Sequence, residues 1–271
     1  MQRLQTHLDH FRRLDDLAQA DSFIHRLHPA VKIITTLIFL ITVSSYAKYE
    51  VAGLLPMLLY PVAMISLGRL PLDYFAERLV FLFPFVILMA IANPFFDTVP
   101  FWQIGGIAIS GGWVSFVSIL FRFALAVTAV LALVATTGIN DIGTVLMRAG
   151  LPKILVLQLF LLYRYLSLLL EEGYRIEQAY VLRSNGNGRG IAPRAWGSLA
   201  GGLLLRTFTR AQKVYESMLC RGFTGELRYL RMVRLSAGSL VYLAGWVIFF
   251  IGVRFNNIPV KLGDWVRGAF G

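Results

Sequence analysis

Charge is what this chain has least of. Only 15% of its 271 residues are Asp, Glu, Lys or Arg, while 57% are hydrophobic. Soluble domains carry about a quarter charged residues, so a freely soluble globular protein is excluded, and the mean hydropathy of +0.65 agrees. Cysteine is nearly missing too: Cys220 stands alone, which excludes an intrachain disulfide framework. The phosphate-cradling pattern G-x-x-x-x-G-K-[ST] is absent, and with it a Walker-type site for ATP. The glycine-rich run 186–190 contains no lysine, follows an expected helix and reads as a hinge. No pair of carboxylates falls inside an apolar run and no Ser/His/Asp set stands out, so a membrane hydrolase has little support. Nothing at the N-terminus resembles a cleaved signal, because residues 1–30 are polar and of mixed charge; the expectation is a cytoplasmic N-terminus and a first span that acts as its own insertion signal.

What charge there is leans one way, with a formal net charge of +11. On membrane proteins basic residues gather on the cytoplasmic side and face anionic lipid. Aromatics are not interleaved with them as a base-stacking surface needs, so no nucleic-acid partner is expected. A spanning helix needs about 20 mostly apolar residues. Five stretches meet this, near 31–48, 51–68, 79–94, 113–137 and 235–253, with Pro56 and Pro61 in the second and Pro84 in the third as expected kinks. A sixth apolar run, 154–170, is ambiguous.

Loop charge arbitrates. With the N-terminus inside, 94–112 falls outside and holds no Lys or Arg, whereas 69–78 falls inside with Arg69 and Arg78, and 138–153 inside with Arg148 and Lys153. If 154–170 crossed, 171–234 would lie outside with eleven basic residues against five acidic ones, against the positive-inside rule. Gln158, Tyr163, Arg164 and Ser167 also interrupt the run, and an arginine at the bilayer centre costs about 2.5–3.5 kcal/mol. The expected fold is therefore an all-α membrane protein of about five transmembrane helices, with three cytoplasmic helices between spans four and five. Its divisions are an amphipathic cytoplasmic segment 1–30, a four-span bundle 31–137, a cytoplasmic insert 138–234, a final span 235–253 and a tail 254–271. The tail's Arg254, Lys261 and Arg267 would then lie outside, a mild count against this topology.

In the insert, a short helix is expected over 140–149, N-capped by Asn140 or Asp141 and stopped by Gly150-Leu151-Pro152. A second runs from Pro152 to Ser184 and ends at Asn185-Gly186-Asn187-Gly188. A third starts near Pro193 and ends at Gly222 as its C′ glycine. The third is amphipathic: Trp196, Leu199, Leu203, Ala211 and Met218 mark an apolar side, and Arg206, Arg210, Lys213, Ser217 and Arg221 another. It reads either as a membrane-surface helix with a solvated basic edge or, through Gly197 and Gly201 at small-xxx-small spacing, as one that crosses the second helix closely.

Two helix ends in this insert look alike: Val181-Leu182-Arg183-Ser184 and Leu219-Cys220-Arg221-Gly222. Each sets an arginine in the last turn, followed by a small residue. A cation there suits the helix dipole, which accounts for either one alone. Their recurrence, with a small neighbour that lets a partner approach and a guanidinium fork for carboxylates or carbonyls, reads as a two-pronged docking device.

The layout of spans, the basic insert with two Arg-small helix ends and the final span resemble EcfT, the transmembrane coupling subunit of energy-coupling factor (ECF) ABC importers, over nearly the whole chain. The wording around 181–186 is most similar to CbiQ, the subunit of cobalt importers. The start of span one, Ile24-His25-Arg26-Leu27-His28-Pro29-Ala30-Val31-Lys32, is similar to that family's Asp-Pro-Arg-x-Lys motif; His28 replaces the Asp and Ala30 the Arg, so only Pro29 and Lys32 carry over. The resemblance implies a non-catalytic subunit of a prokaryotic inner-membrane importer. The insert helices would be coupling helices. Leu182, Arg183, Ser184, Cys220, Arg221 and Gly222 would meet two ATP-binding cassette subunits, and the motion would pass to a CbiM-like substrate-binding subunit, with a small accessory membrane subunit as a further partner. No cofactor or metal would be held directly, and ATP would be used by the partners. Cobalt is the implied substrate, with nickel or a vitamin as alternatives; a self-contained secondary transporter is the reading from another class, disfavoured by the odd span count and the lack of acidic residues in spans.

All four histidines, His7, His10, His25 and His28, are N-terminal. They lack acidic or cysteine partners at ligand spacing and are expected to be amphipathic surface residues. Arg122, inside span four, is expected to find a bond within the bundle, with a contact to the substrate-binding subunit as the alternative.

Overall fold

A computed structural model describes residues 17, 20, 22–48, 50–96, 100–104, 107–183, 191–225 and 235–256. His7, His10, Ser184, the hinge 186–190, and Lys261 and Arg267 lie outside the described residues. In chain order the helices are α1 Pro29–Ser44, α2 Val51–Leu54, α3 Leu59–Gly68, α4 Leu72–Ala90, α5 Ala92–Phe96, α6 Gly111–Thr136, α7 Ile139–Arg148, α8 Lys153–Arg183, α9 Trp196–Cys220 and α10 Ala237–Asn256. The chain divides into two compact units, one of Leu17–Thr137 with Val233–Gly271, the other of Met1–Asp16 with Gly138–Met232.

Among the described residues five stretches are long and apolar enough to cross a membrane: Val51–Gly68, Leu72–Pro94, Gly111–Thr136, Lys153–Arg183 and Ala237–Phe255. The protein is thus an all-α, multi-pass membrane protein. The membership of the five differs from the expected one. The first expected span, 31–48, is the 16-residue α1, about 24 Å long against a hydrocarbon core of about 30 Å. The run 154–170, read from loop charge as non-crossing, lies in α8, which meets the same length and composition test.

In the first unit, α1 packs on α6 and α10, and α6 also meets α3 and α4. Leu125, Ala129, Ala132 and Thr136 recur along the buried side of α6; small residues at such spacing let helix backbones approach closely. Pro56 opens a single 3-10 turn, Pro56–Leu58, between α2 and α3, because proline has no N–H to continue the α ladder. Pro84 sits inside α4. Phe39, Tyr60, Trp246 and Phe250 form the aromatic centre, with Phe39–Tyr60 and Tyr60–Trp246 centroids 4.7 and 4.9 Å apart. The Thr36 and Tyr60 hydroxyls share a hydrogen bond of 2.7 Å. A short antiparallel hairpin, β1 Pro100–Ile104 with β2 Ile107–Ser110, pairs Trp102 with Ile109 and Ile104 with Ile107; it is an addition to the helices expected from sequence.

The insert forms the second unit. Its helix α7 begins two or three residues before the expected caps: the N-cap is Gly138, with no side-chain cap bond, and Asp141 lies in the first turn instead. There its carboxylate favours the positive end of the helix dipole. Gly150, at φ +96°, ends α7 with paired bonds, Gly150 N–H to Met147 O at 3.3 Å and Leu151 N–H to Leu146 O at 3.2 Å, the Schellman pattern. The chain then turns straight into α8. Gly143 of α7 lies against the Phe160 ring of α8, where an added Cβ would come within 2.4 Å of Cζ. The small residue is what lets these two helices pack.

Candidate coupling site

Arg183 and Arg221 stand at the C-terminal bounds of the insert's two long helices. Arg183 is the last residue of α8 and is exposed, beside Leu182 at 80% exposure. Arg221 is the C-cap of α9, exposed and next to the exposed free thiol of Cys220. Gly222 follows at φ +77°. Its N–H bonds to Leu219 O at 2.9 Å, and the Phe223 N–H bonds to Met218 O at 3.0 Å. This is again the Schellman pattern, and its left-handed position disfavours any residue with a Cβ. The glycine after Arg221 thus stops the helix on the arginine. Among the described residues neither Arg183 nor Arg221 makes an ion pair.

One polar link joins the two helices away from their tips. Arg206 of α9 donates to Glu172 of α8 at 2.7 Å. From that link Arg183 lies eleven residues further along α8 and Arg221 fifteen along α9, arms of about 16 and 22 Å at 1.5 Å per residue. The pair was not singled out from sequence; its one signal there was a carboxylate pair, Glu171-Glu172, in a basic segment.

A close crossing of the two long helices at Gly197 and Gly201 was the expectation, and the described residues do not place one there. Among the described residues nothing lies within 4 Å of where a Cβ would sit at either glycine. The polar α8–α9 contact, Arg206–Glu172, lies beyond the glycines along α9. Trp196, Leu204, Leu205 and Phe208 of α9 are all exposed.

The motif at the start of α1 is built into the other unit. His28 is the N-cap: its Nδ1 accepts from the Ala30 N–H at 3.1 Å, so the imidazole does the capping work of an aspartate at that position. Pro29 takes the first helical turn, where its missing N–H costs nothing. Lys32 is 1% exposed, and its Nζ donates to the Thr136 carbonyl at 2.6 Å, a cation at the C-terminal end of α6. His28 is buried at 4%, which corrects its reading as a surface residue. His25 is half-buried; its Nε2–H donates to Leu17 O at 2.8 Å, leaving Nδ1 to accept from the Ser22 hydroxyl at 2.7 Å. Arg122 bonds within the bundle, to the Ala47 carbonyl.

The sequence matches the model of the cobalt transport protein family CbiQ over residues 20–230. It is 26% identical, over 84% of its length and 94% of the relative's, to the energy-coupling factor transporter transmembrane protein EcfT of Bacillus subtilis. To the EcfT of Bacillus selenitireducens it is 25% identical over 86% of this chain and 92% of that one. An uncharacterised protein of Methanocaldococcus jannaschii is 23% identical over 94% of this chain and 97% of its own. With a family match across most of its length, this chain belongs to the CbiQ family of cobalt transport proteins and is a transmembrane protein of the EcfT/CbiQ type.

Proposed function

We propose that this protein is the coupling subunit of an ECF-type ABC importer for cobalt ions, and that Arg183 and Arg221 are the points at which two ATPase subunits grip it. The observation that carries the reading is the pair of exposed arginine ends on two long helices linked at Arg206–Glu172. An exposed guanidinium at a helix end offers planar, bidentate donors to a partner's carboxylates or carbonyls. With arms of about 16 and 22 Å beyond the link, a small displacement at either tip turns a long lever. The chain has no phosphate loop of its own, so in this scheme hydrolysis belongs to the partners and this subunit carries the motion to a substrate-binding membrane subunit. In this reading the insert and the N-terminus lie in the cytoplasm, which the insert's excess of basic residues supports under the positive-inside rule.

The test is the double reversal Arg183→Glu with Arg221→Glu in the intact complex, followed by cobalt uptake in cells and by co-purification of the ATPase subunits from membranes. Truncating one partner of a desolvated charged contact costs about 2–5 kcal/mol, so two reversals together are expected to release the ATPases and abolish uptake. Uptake that survives with the ATPases still bound sinks the proposal. Uptake of nickel in preference to cobalt by the wild-type complex would overturn the ion assignment alone.

A further inference from the structure

The first turn of α1 reaches both places where the chain leaves and re-enters the membrane unit. The unit's first segment ends at Thr137, with Gly138 opening the insert, and its second begins at Val233. Lys32 Nζ donates to the carbonyl of Thr136, one residue before the exit. The backbone N–H of His28 donates to Ser239 Oγ at 3.2 Å, in the first turn of the helix that follows the return. All four residues are buried: His28 at 4%, Lys32 at 1%, Thr136 at 2% and Ser239 at 1% exposure. His28 and Lys32 belong to one turn, the Lys32 N–H bonding back to the His28 carbonyl at 3.4 Å. One helical turn therefore holds the two chain ends that flank the insert.

We propose that the His28-Pro29-x-x-Lys32 turn is a clamp on the two ends of the insert, and that Lys32 and Ser239 are positioning residues for coupling. Motion in the insert can pass along the chain only through its two covalent ends. A free lysine ammonium would let the last turn of α6 fray, since terminal carbonyls have no partner within their own helix. Held at both ends by one rigid, buried turn, a displacement of the insert shifts α6, α10 and α1 together instead of being absorbed by unwinding at the junctions. His28 caps α1 and so fixes the geometry of that turn; an aspartate would do the same.

The transmitting role rests on the coupling function proposed above; the clamp itself does not, and two measurements separate them. In the purified chain in lipid nanodiscs, Lys32→Met and Ser239→Ala are compared with wild type by hydrogen–deuterium exchange of peptides covering 24–32, 132–143 and 235–242. Loss of a buried, charge-assisted bond predicts about tenfold or more faster exchange at the exit for Lys32→Met, and faster exchange at His28 and 235–242 for Ser239→Ala. Unchanged exchange at both junctions overturns the clamp. In the reconstituted complex, Lys32→Met is expected to keep its ATPase subunits and their hydrolysis while cobalt moved per ATP falls at least about fivefold. His28→Asp is expected to stay near wild type in both assays. Transport and hydrolysis falling in proportion would show a merely structural role and overturn the transmitting one. Altered exchange together with intact uptake in the Arg183→Glu, Arg221→Glu protein would remove the coupling function and leave the clamp standing.

Discussion

Gly143→Ala tests the packing that bases α8 on α7, and the insert supplies its own controls. A Cβ at Gly143 would lie 2.4 Å from Phe160 Cζ and 2.5 Å from Cε1. Carbon atoms rest at about 3.5–4.0 Å, so the ring must retreat by roughly 1 Å. Phe160 is only 7% exposed, and overpacking of this kind costs about 1–3 kcal/mol. Against that, alanine is about 1 kcal/mol better than glycine inside a helix. At Gly197 and Gly201 the same Cβ meets nothing within 4 Å, so only the propensity gain remains, about 0.5–1 kcal/mol each. The quantity to measure is therefore the difference between sites: Gly143→Ala should be less stable than Gly201→Ala by about 1–3 kcal/mol. Native-state hydrogen exchange of the 139–160 amides for Gly143→Ala, and of the 196–210 amides for Gly201→Ala, in mild detergent reads this locally. Adding Phe160→Leu should recover part of the loss at Gly143, a coupling of about 1 kcal/mol, and none at Gly201. Equal effects at Gly143 and Gly201 would refute the packing argument. A loss at Gly201 would instead reveal that a partner occupies that face.

Two further outcomes follow from single residues. Arg122→Met removes the donor to the Ala47 carbonyl and is expected to cost about 1–3 kcal/mol, measured as a lowered midpoint in thermal denaturation in detergent; no change would mean that another group serves that carbonyl. The exposed, solitary Cys220 is expected to react with a membrane-impermeant maleimide in inside-out vesicles and not in intact cells, and labelling from outside alone would reverse the cytoplasmic placement of the insert.

The insert was largely legible in the sequence because its signals are local. Glycines at 150 and 222 stop helices by their own backbone freedom, and the observed α8, Lys153–Arg183, and α9, Trp196–Cys220, match the expected limits closely. The two arginine tips could be placed at helix ends for the same reason. What sequence did not show depends on contacts between distant residues. Glu172 and Arg206 are 34 residues apart and His28 and Ser239 are 211 apart, so no periodicity announces either. The Gly197/Gly201 spacing did not locate a contact among the described residues, because a small-residue stripe states only that close approach is possible. His28 was read as a surface residue because it falls in the mixed-charge segment 1–30 and lacks acidic or cysteine partners at ligand spacing. Its burial comes from the fold around α1.

The short α1 and the arginines near its far end explain one another. A helix of 16 residues falls about 6 Å short of the hydrocarbon thickness. Backbone that is not helical at membrane depth is tolerated only where protein satisfies its polar groups. The chain following α1 meets that condition. Arg254 of α10 donates to the Ser45 carbonyl at 2.9 Å and to Glu50 Oε2 at 3.3 Å, the Glu50 carboxylate accepts from the Ala47 N–H at 3.2 Å, and Arg122 serves the Ala47 carbonyl. Arg254 also lies over the Tyr46 ring, 4.6 Å from its centroid. Two arginines that look misplaced in apolar helices thus satisfy the backbone where α1 stops early. At its other end α1 presents Lys32 and His28 to α6 and α10. The short α1 is therefore tied at both ends to α6 and α10, the helices at which the chain leaves the membrane unit and resumes it.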